Sequence, residues 1–168
     1  MISFRLEKAG DADKIYNLTR KTYGRLGEAT LVEDLCRDGD ALVSFVAVKD
    51  DELVGHILIS DAPVVDNLNL LRAAALAPLT VSAAYEGQGI GGGLVMHGLR
   101  QCRKLRVQVV FVLGDPGYYE RFGFSAELAA PFTSPYAGEN FQAVELEPGI
   151  LQKATGDILH AEAFRKLR

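Results

Sequence analysis

The chain has 168 residues, 48% of them hydrophobic, which suits one domain with a sizeable core. A net charge of −4 and a pI near 5.4 exclude the clustered basic face of a nucleic-acid binder and leave a surface mildly attractive to a cationic amine. No apolar run approaches the roughly 18 residues of a membrane span, and Met1-Ile2-Ser3-Phe4-Arg5-Leu6-Glu7 is a charged strand pattern and not a signal peptide, so the cytosol is the expected compartment and no membrane partner is expected.

Taken in chain order, Ile2, Phe4 and Leu6 alternate with polar residues as a first strand. Asp11 or Asp13 starts an amphipathic helix that runs through Ile15, Leu18 and Thr22. A second helix is predicted from Thr30, with Thr30-x-x-Glu33 as a capping box and Leu31, Leu35 and Cys36 on one face. Leu42 to Val48 and Leu53 to Ser60 flank Lys49-Asp50-Asp51-Glu52 as a hairpin. Residues 61–72 read as a polar, Asn-rich connection into a strand at Leu76-Ala77-Pro78-Leu79-Thr80-Val81. Leu94 to Leu99 reads as the opening of a helix, and Val109-Val110-Phe111-Val112-Leu113 as a buried strand. Pro116 can open a helix that Gly123 ends. A long loop with Pro131, Pro135 and Gly138 leads to a last strand, Asn140 to Leu146, whose exposed edge would permit a homodimer. The tail from Ile150 is amphipathic. Cys36 and Cys102 show neither C-x-x-C nor a ligand spacing, so both are expected to be reduced and mostly buried, with no metal. The alternation implies an α/β sandwich with a mixed sheet.

The most informative stretch is Tyr85 to Gly93, Y-E-G-Q-G-I-G-G-G, set between a strand and a helix. Glycines let a ligand approach the backbone, and the free N–H groups and dipole of a helix start favour negative charge, so a phosphate-bearing cofactor is the expected guest. No Lys-Ser/Thr pair follows the glycines, which excludes a Walker A loop. Gly87-x-Gly89-x-x-Gly92 matches the dinucleotide fingerprint literally, but the acidic residue expected about 20 positions on is replaced by apolar Val107-Gln108-Val109-Val110-Phe111. A Gly-rich turn without a ligand is the bland alternative.

Two separated segments resemble the Gcn5-related N-acetyltransferase (GNAT) family. After its central strand that family carries Gln/Arg-x-x-Gly-x-Gly/Ala, which Gly87, Gln88, Gly89 and Gly91 resemble, with Glu86 in place of the first Gln or Arg and Gly92 where many relatives have Arg. A frame shifted by two, Gln88-x-x-Gly91-x-Gly93, matches the pattern but fits the preceding strand less well. The second segment, Tyr119-x-x-Phe122-Gly123-Phe124, resembles the family's tyrosine motif. Leu113-Gly114-Asp115-Pro116 with Tyr118 and Tyr119, Leu76-Ala77-Pro78-Leu79, Gly55-His56-Ile57-Leu58 and Gly27-Glu28-Ala29 resemble its branch of YhbS-type predicted N-acetyltransferases.

The resemblance implies a GNAT-like mixed, mostly antiparallel central sheet flanked by helices, with central strands that splay near Val81 and Leu113 to seat acetyl-CoA as co-substrate. The implied cofactor-binding residues are Leu79, Thr80 and Val81 on the strand, Glu86, Gly87, Gln88, Gly89, Ile90, Gly91 and Gly92 in the loop, and Tyr119. Backbone groups of Leu79 and Val81 would pair with the pantetheine arm, and N–H groups near Val81 would polarise the thioester carbonyl. An amine attacks directly in a ternary complex, with Tyr119 as the general acid for the leaving thiolate. Glu28 is a candidate base or acceptor-binding carboxylate, against a solvated acid at a helix start. His56 is a candidate base, against a satisfied core histidine. Asp115 is expected to cap the helix at Pro116, His97 to be structural, and Arg100, Arg103, Lys104 and Arg106 to complement a helix C-terminus. A small-molecule or peptide amine is the expected partner. A catalytically silent acyl-CoA sensor of the same fold is the alternative, and a nicotinamide oxidoreductase a third.

Overall fold

The structure is a computed structural model that describes residues 1–67 and 69–167. Among these residues ten strands and five α-helices follow one another as β1 (Ile2–Leu6), α1 (Ala12–Tyr23), α2 (Gly27–Arg37), β2 (Ala41–Lys49), β3 (Glu52–Asp61), β4 (Val64–Asp66), β5 (Asn69–Leu71), β6 (Ala73–Val81), α3 (Ile90–Lys104), β7 (Val109–Leu113), α4 (Pro116–Tyr119), α5 (Ala126–Ala129), β8 (Phe132–Thr133), β9 (Phe141–Glu145) and β10 (Gly156–Ile158). Six of the strands form the main sheet in the order β1-β2-β3-β6-β7-β9, and the other four a small sheet, β5-β4-β10-β8. Every pair in the main sheet is antiparallel except β6–β7, so the mixed, mostly antiparallel sheet expected from the sequence is the one observed.

Alternation along the strands divides the core between the two faces. Ile57 and Ile59 of β3 and Val110 and Val112 of β7 meet Leu94, Val95 and Leu99 of α3. On the other face, Val46 and Leu58 meet Ile15, Leu31 and Leu35 of α1 and α2. Further along that face Ala75, Val109 and Phe111 pack under the small sheet with Phe132 and Ile158. Phe111 is wholly buried, and a side chain of that size contributes about 2–3 kcal/mol by leaving water.

The β2–β3 turn forms as its sequence demands. Asp50 and Asp51 take φ of 50° and 64°, the left-handed pair that a two-residue hairpin of matching twist needs.

Four expectations are corrected. First, α2 starts at Gly27, and the Thr30 N–H donates to the Leu26 carbonyl, so Thr30-x-x-Glu33 lies inside the helix and forms no capping box; the extra turn buries Glu28 and Ala29. Second, α3 starts at Ile90, not Leu94, because Ile90 is itself a core residue packed against Gly55. Third, residues 61–72 are not a plain connection: β4 and β5 form there because Val64 and Leu71 pack into the cluster under the small sheet. Fourth, Cys36 is exposed while Cys102 is buried; position 36 is turned about 100° round the helix from buried Leu35. The outer side of β9 is not bare either, since Ser125 bridges to Ala143 there.

Candidate active site

The parallel pairing of β6 with β7 runs from Ala73↔Val109 to Leu76↔Val112 and stops, although β6 continues to Val81. A bulge causes the departure. Between the pairs Ile59↔Leu76 and Ile57↔Leu79, β6 carries one more residue than β3, and Pro78, which has no N–H to give, lies in that stretch. Beyond it the strands part, and the gap becomes a cleft lined by Tyr23, Glu28, Leu76, Leu79, Leu113, Tyr118 and Tyr119, among others.

The free edge of β6 faces this gap. The Ser82 N–H donates to the Val54 carbonyl at 2.8 Å, which makes Gly55↔Val81 and Ile57↔Leu79 the non-hydrogen-bonded pairs of the β3–β6 ladder. The peptide groups of Leu79 and Val81 therefore point away from β3, toward the cleft. Thr80 points its buried side chain to the α1 face. The Leu79 carbonyl accepts the Tyr23 hydroxyl at 2.9 Å.

At the mouth of the cleft, Gly87 and Gly89 take φ of 78° and 79°, left-handed values that a side chain would oppose, and Gly89 is the N-cap of α3. A β-carbon on Gly91 would stand 2.6 Å from the Tyr118 hydroxyl. One on Gly93 would stand 2.2 Å from the Phe4 ring, so Gly93 serves helix–strand packing and Gly91 the cleft side. Ile90 points inward, while Glu86, Gln88 and Gly89 are exposed. Glu86 makes no hydrogen bond or ion pair among the described residues and turns its carboxylate to solvent. The hairpin turn braces this loop: Lys49 Nζ donates to Gln88 Oε1 at 3.2 Å, and the Tyr85 hydroxyl to Glu52 Oε2 at 2.7 Å.

Tyr119 stands on the opposite wall, its position set by α4. Asp115 caps that helix by accepting the Gly117 N–H at 3.0 Å, and Pro116 fits its first turn. The half-buried Tyr119 ring lies edge-on to Phe124 at 5.6 Å. Burial, and then the neighbouring Tyr118 and Tyr23, push its phenol above the usual tyrosine value, so it is a neutral donor at physiological pH.

Glu28 enters the cleft from the first turn of α2. Both its carboxylate oxygens accept from Arg25, at 2.9 and 2.5 Å. His56 does not enter. It lies wholly buried in the middle of β3, and desolvation lowers its pKa to about 4. Ser44 donates to Glu7 Oε1 at 2.6 Å, so its oxygen accepts from His56 Nε2–H at 2.8 Å. Tyr119, Glu28 and the β6 edge are thus brought together, and His56 is left on the sheet face.

Tyr23, Arg25 and Arg121 escape sequence reasoning. Tyr23 is the last residue of α1, before a left-handed Gly24 that ends the helix, and that Tyr-Gly stop was the available signal. Arg121 holds its guanidinium 4.8 Å from the centre of the Tyr118 ring and donates to the Tyr118 carbonyl at 3.0 Å, on the side where Phe122 meets Gly92. Nothing local in the sequence marks it. Arg103 and Lys104 lie in the last turn of α3, far along the helix from the glycines. Among the described residues no group of three or more His, Cys, Asp or Glu is placed to hold a metal ion, and no helix is long and apolar enough to cross a membrane.

A split between parallel strands, a glycine-capped helix start on one side and a half-buried tyrosine on the other define the acetyltransferase (GNAT) class: residues 12–124 match that family, and the chain belongs to it. It is 35% identical to the uncharacterized N-acetyltransferase YhbS of Escherichia coli K12, over 96% of this chain and 98% of the relative. It is 36% identical to YjhQ of the same strain, over 73% and 68%. Among solved structures, the chain is similar to E. coli YhbS in complex with CoA, with a TM-score of 0.89 and 32% identity over 98% of this chain and 92% of that one. It is also similar to a GNAT acetyltransferase of Brucella melitensis in complex with acetyl-CoA, with a TM-score of 0.81 and 29% identity over 98% of both.

Proposed function

We propose that the protein transfers an acetyl group from acetyl-CoA to a primary amine by direct attack in a ternary complex. The observation that carries this reading is the edge of β6 left without a partner strand beyond Leu76, with the peptide groups of Leu79 and Val81 facing a gap closed by Tyr119 on one side and reached from the 87–91 loop on the other. The similar proteins crystallised with CoA and acetyl-CoA support the choice of co-substrate.

In this reading the pyrophosphate rests on the N–H groups of residues 87–91, where glycine is required for approach and the start of α3 favours negative charge. The pantetheine amides pair with Leu79 and Val81 as an added strand would. The thioester carbonyl lies against the Val81 end of β6, whose N–H stabilises the developing oxyanion. The amine nitrogen attacks the carbonyl carbon, the C–S bond breaks, and Tyr119 gives its proton to the departing thiolate. A carboxylate has about four lone-pair directions and Arg25 fills two of Glu28's; the remainder hold the acceptor's N–H and pass its proton to water. His56 has no part in this reading, because its ring does not line the cleft.

Thiol release from acetyl-CoA, followed over a panel of amines for the native chain and Tyr119→Phe, tests the proposal. Turnover that falls about 100-fold in the variant supports it. CoA binding with no turnover on any amine would identify a sensor instead.

A further inference from the structure

A second cavity, of about 180 Å³, adjoins the cleft and shares Leu76, Ala77, Leu113 and Leu167 with it. Its own walls include Ala75, Phe111, Tyr136, Phe141, His160 and Phe164, and among the described residues no Asp, Glu, Lys or Arg lines it. Ala75 and Phe111 belong to the sheet face opposite α3, so the cavity lies across the sheet from the helix whose N-terminus forms the glycine cradle. The shared residues place the cavity next to the cleft that Tyr119 and Glu28 line.

Among the described residues, the only polar side chains on its wall are Tyr136 and His160. His160 Nε2 is hydrogen-bonded to Ser134 Oγ at 2.9 Å, and the ring meets Tyr136, Phe141 and Phe164 edge-on at 4.9, 6.1 and 6.5 Å. Burial lowers its pKa, so it offers an uncharged aromatic surface at neutral pH. An apolar cavity of about 150 Å³ holds one benzene molecule, which sets the size of the guest.

Resting on the transferase reading above, we propose that this cavity receives the acceptor's side group, and that preferred acceptors are primary amines with one uncharged aromatic or branched aliphatic group of up to about phenyl size close to the nitrogen. Polyamines and other multiply charged amines are then poor acceptors, since none of the described residues that line the cavity carries a negative charge to pair with a second ammonium. An acyl chain longer than acetyl shares this chemistry and would arrive from the other side of the gap; the test separates the two.

The full-length protein is assayed by thiol release from acetyl-CoA with ethylamine, isobutylamine, benzylamine and putrescine. The expected kcat/KM rises at least about 10-fold from ethylamine to benzylamine, with putrescine no better than ethylamine. Ala75→Leu, which fills the cavity, brings the benzylamine-to-ethylamine ratio to about one, with CoA affinity as the control for folding. Phe164→Ala, on the tail, enlarges the cavity and moves the optimum to 2-naphthylmethylamine. Preference for putrescine, or a benzylamine advantage that survives Ala75→Leu, overturns the proposal. So does faster thiol release from hexanoyl-CoA than from acetyl-CoA that Ala75→Leu abolishes, because the cavity then serves the acyl chain. Should no amine be acetylated, the transferase reading fails by itself. The cavity is then read from the His160 imidazole NMR signals: a shift on adding benzylamine that is lost in Ala75→Leu supports the site, and no shift overturns it.

Discussion

The Tyr118 hydroxyl fills the place that a β-carbon on Gly91 would take, 2.6 Å away. This contact joins the two segments that mark the cleft, one at the start of α3 and one on α4. It also makes Gly91 a residue whose smallest enlargement can be relieved from a known partner.

Gly91→Ala is therefore expected to weaken CoA binding at least about 10-fold, or roughly 1.4 kcal/mol, by pushing Tyr118 off the loop. Tyr118→Phe removes the colliding oxygen and leaves the ring carbon that carried it at 3.7 Å, an ordinary contact. The double variant Gly91→Ala/Tyr118→Phe should recover most of the affinity by calorimetry. Strictly additive losses would show that the contact is not what demands glycine.

Tyr119 should remain a proton donor over the whole neutral range, because burial holds its phenol above the usual value. The kcat profile is expected to show no alkaline fall below about pH 9, while its acid limb follows deprotonation of the acceptor. A falling limb near pH 8 that disappears in Tyr119→Phe would contradict this assignment.

Charge at the mouth of the cleft gives two effects of opposite sign. Arg121 stacks on Tyr118 beside the glycine loop, and Glu86 is exposed on that loop. Arg121→Ala should lower CoA affinity several-fold at low salt, and Glu86→Gln should raise it, with both differences shrinking toward 0.5 M salt as the Debye length falls below about 5 Å. Salt-independent changes would place both groups away from the phosphates.

His56 is predicted to act on stability and not on rate. Its pKa is about 4 in the folded chain against an ordinary 6.5, so the unfolded chain binds a proton that the folded one refuses. Stability due to this residue is intact above pH 6.5 and is lost as pH falls toward 4, by up to about 3 kcal/mol. His56→Gln should flatten the melting temperature between those limits. An unchanged slope, or a loss of kcat with stability unaltered, would count against the structural role.

What was legible in the sequence were features with strong local rules. The Asp50-Asp51 hairpin, the Pro116-to-Gly123 punctuation and the apolar runs of β6 and β7 each follow from backbone preference or burial. The family resemblance supplied the splay, and the bulge near Pro78 explains it physically. Illegible were features decided by distant partners. The start of α2 depends on what Glu28 and Ala29 are buried against, not on Thr30 and Glu33. The strands within 61–72 exist because Asp157 and Ile158 pair with β4 and Phe132 packs in the same cluster as Val64. Tyr23 became part of the cleft only through a hydrogen bond to Leu79, and Arg121 only through the Tyr118 ring. His56 looked like a candidate base because a histidine beside a glycine gives no sign of which sheet face it occupies.

The most direct test of the account is a crystal structure of the full chain grown with acetyl-CoA. The expected result is pyrophosphate oxygens within hydrogen-bond reach of the N–H groups of residues 87–91, pantetheine amides paired with Leu79 and Val81, and the sulfur beside the Tyr119 hydroxyl. Acetyl-CoA bound with its phosphates away from this loop, or its thioester remote from Tyr119, would contradict it.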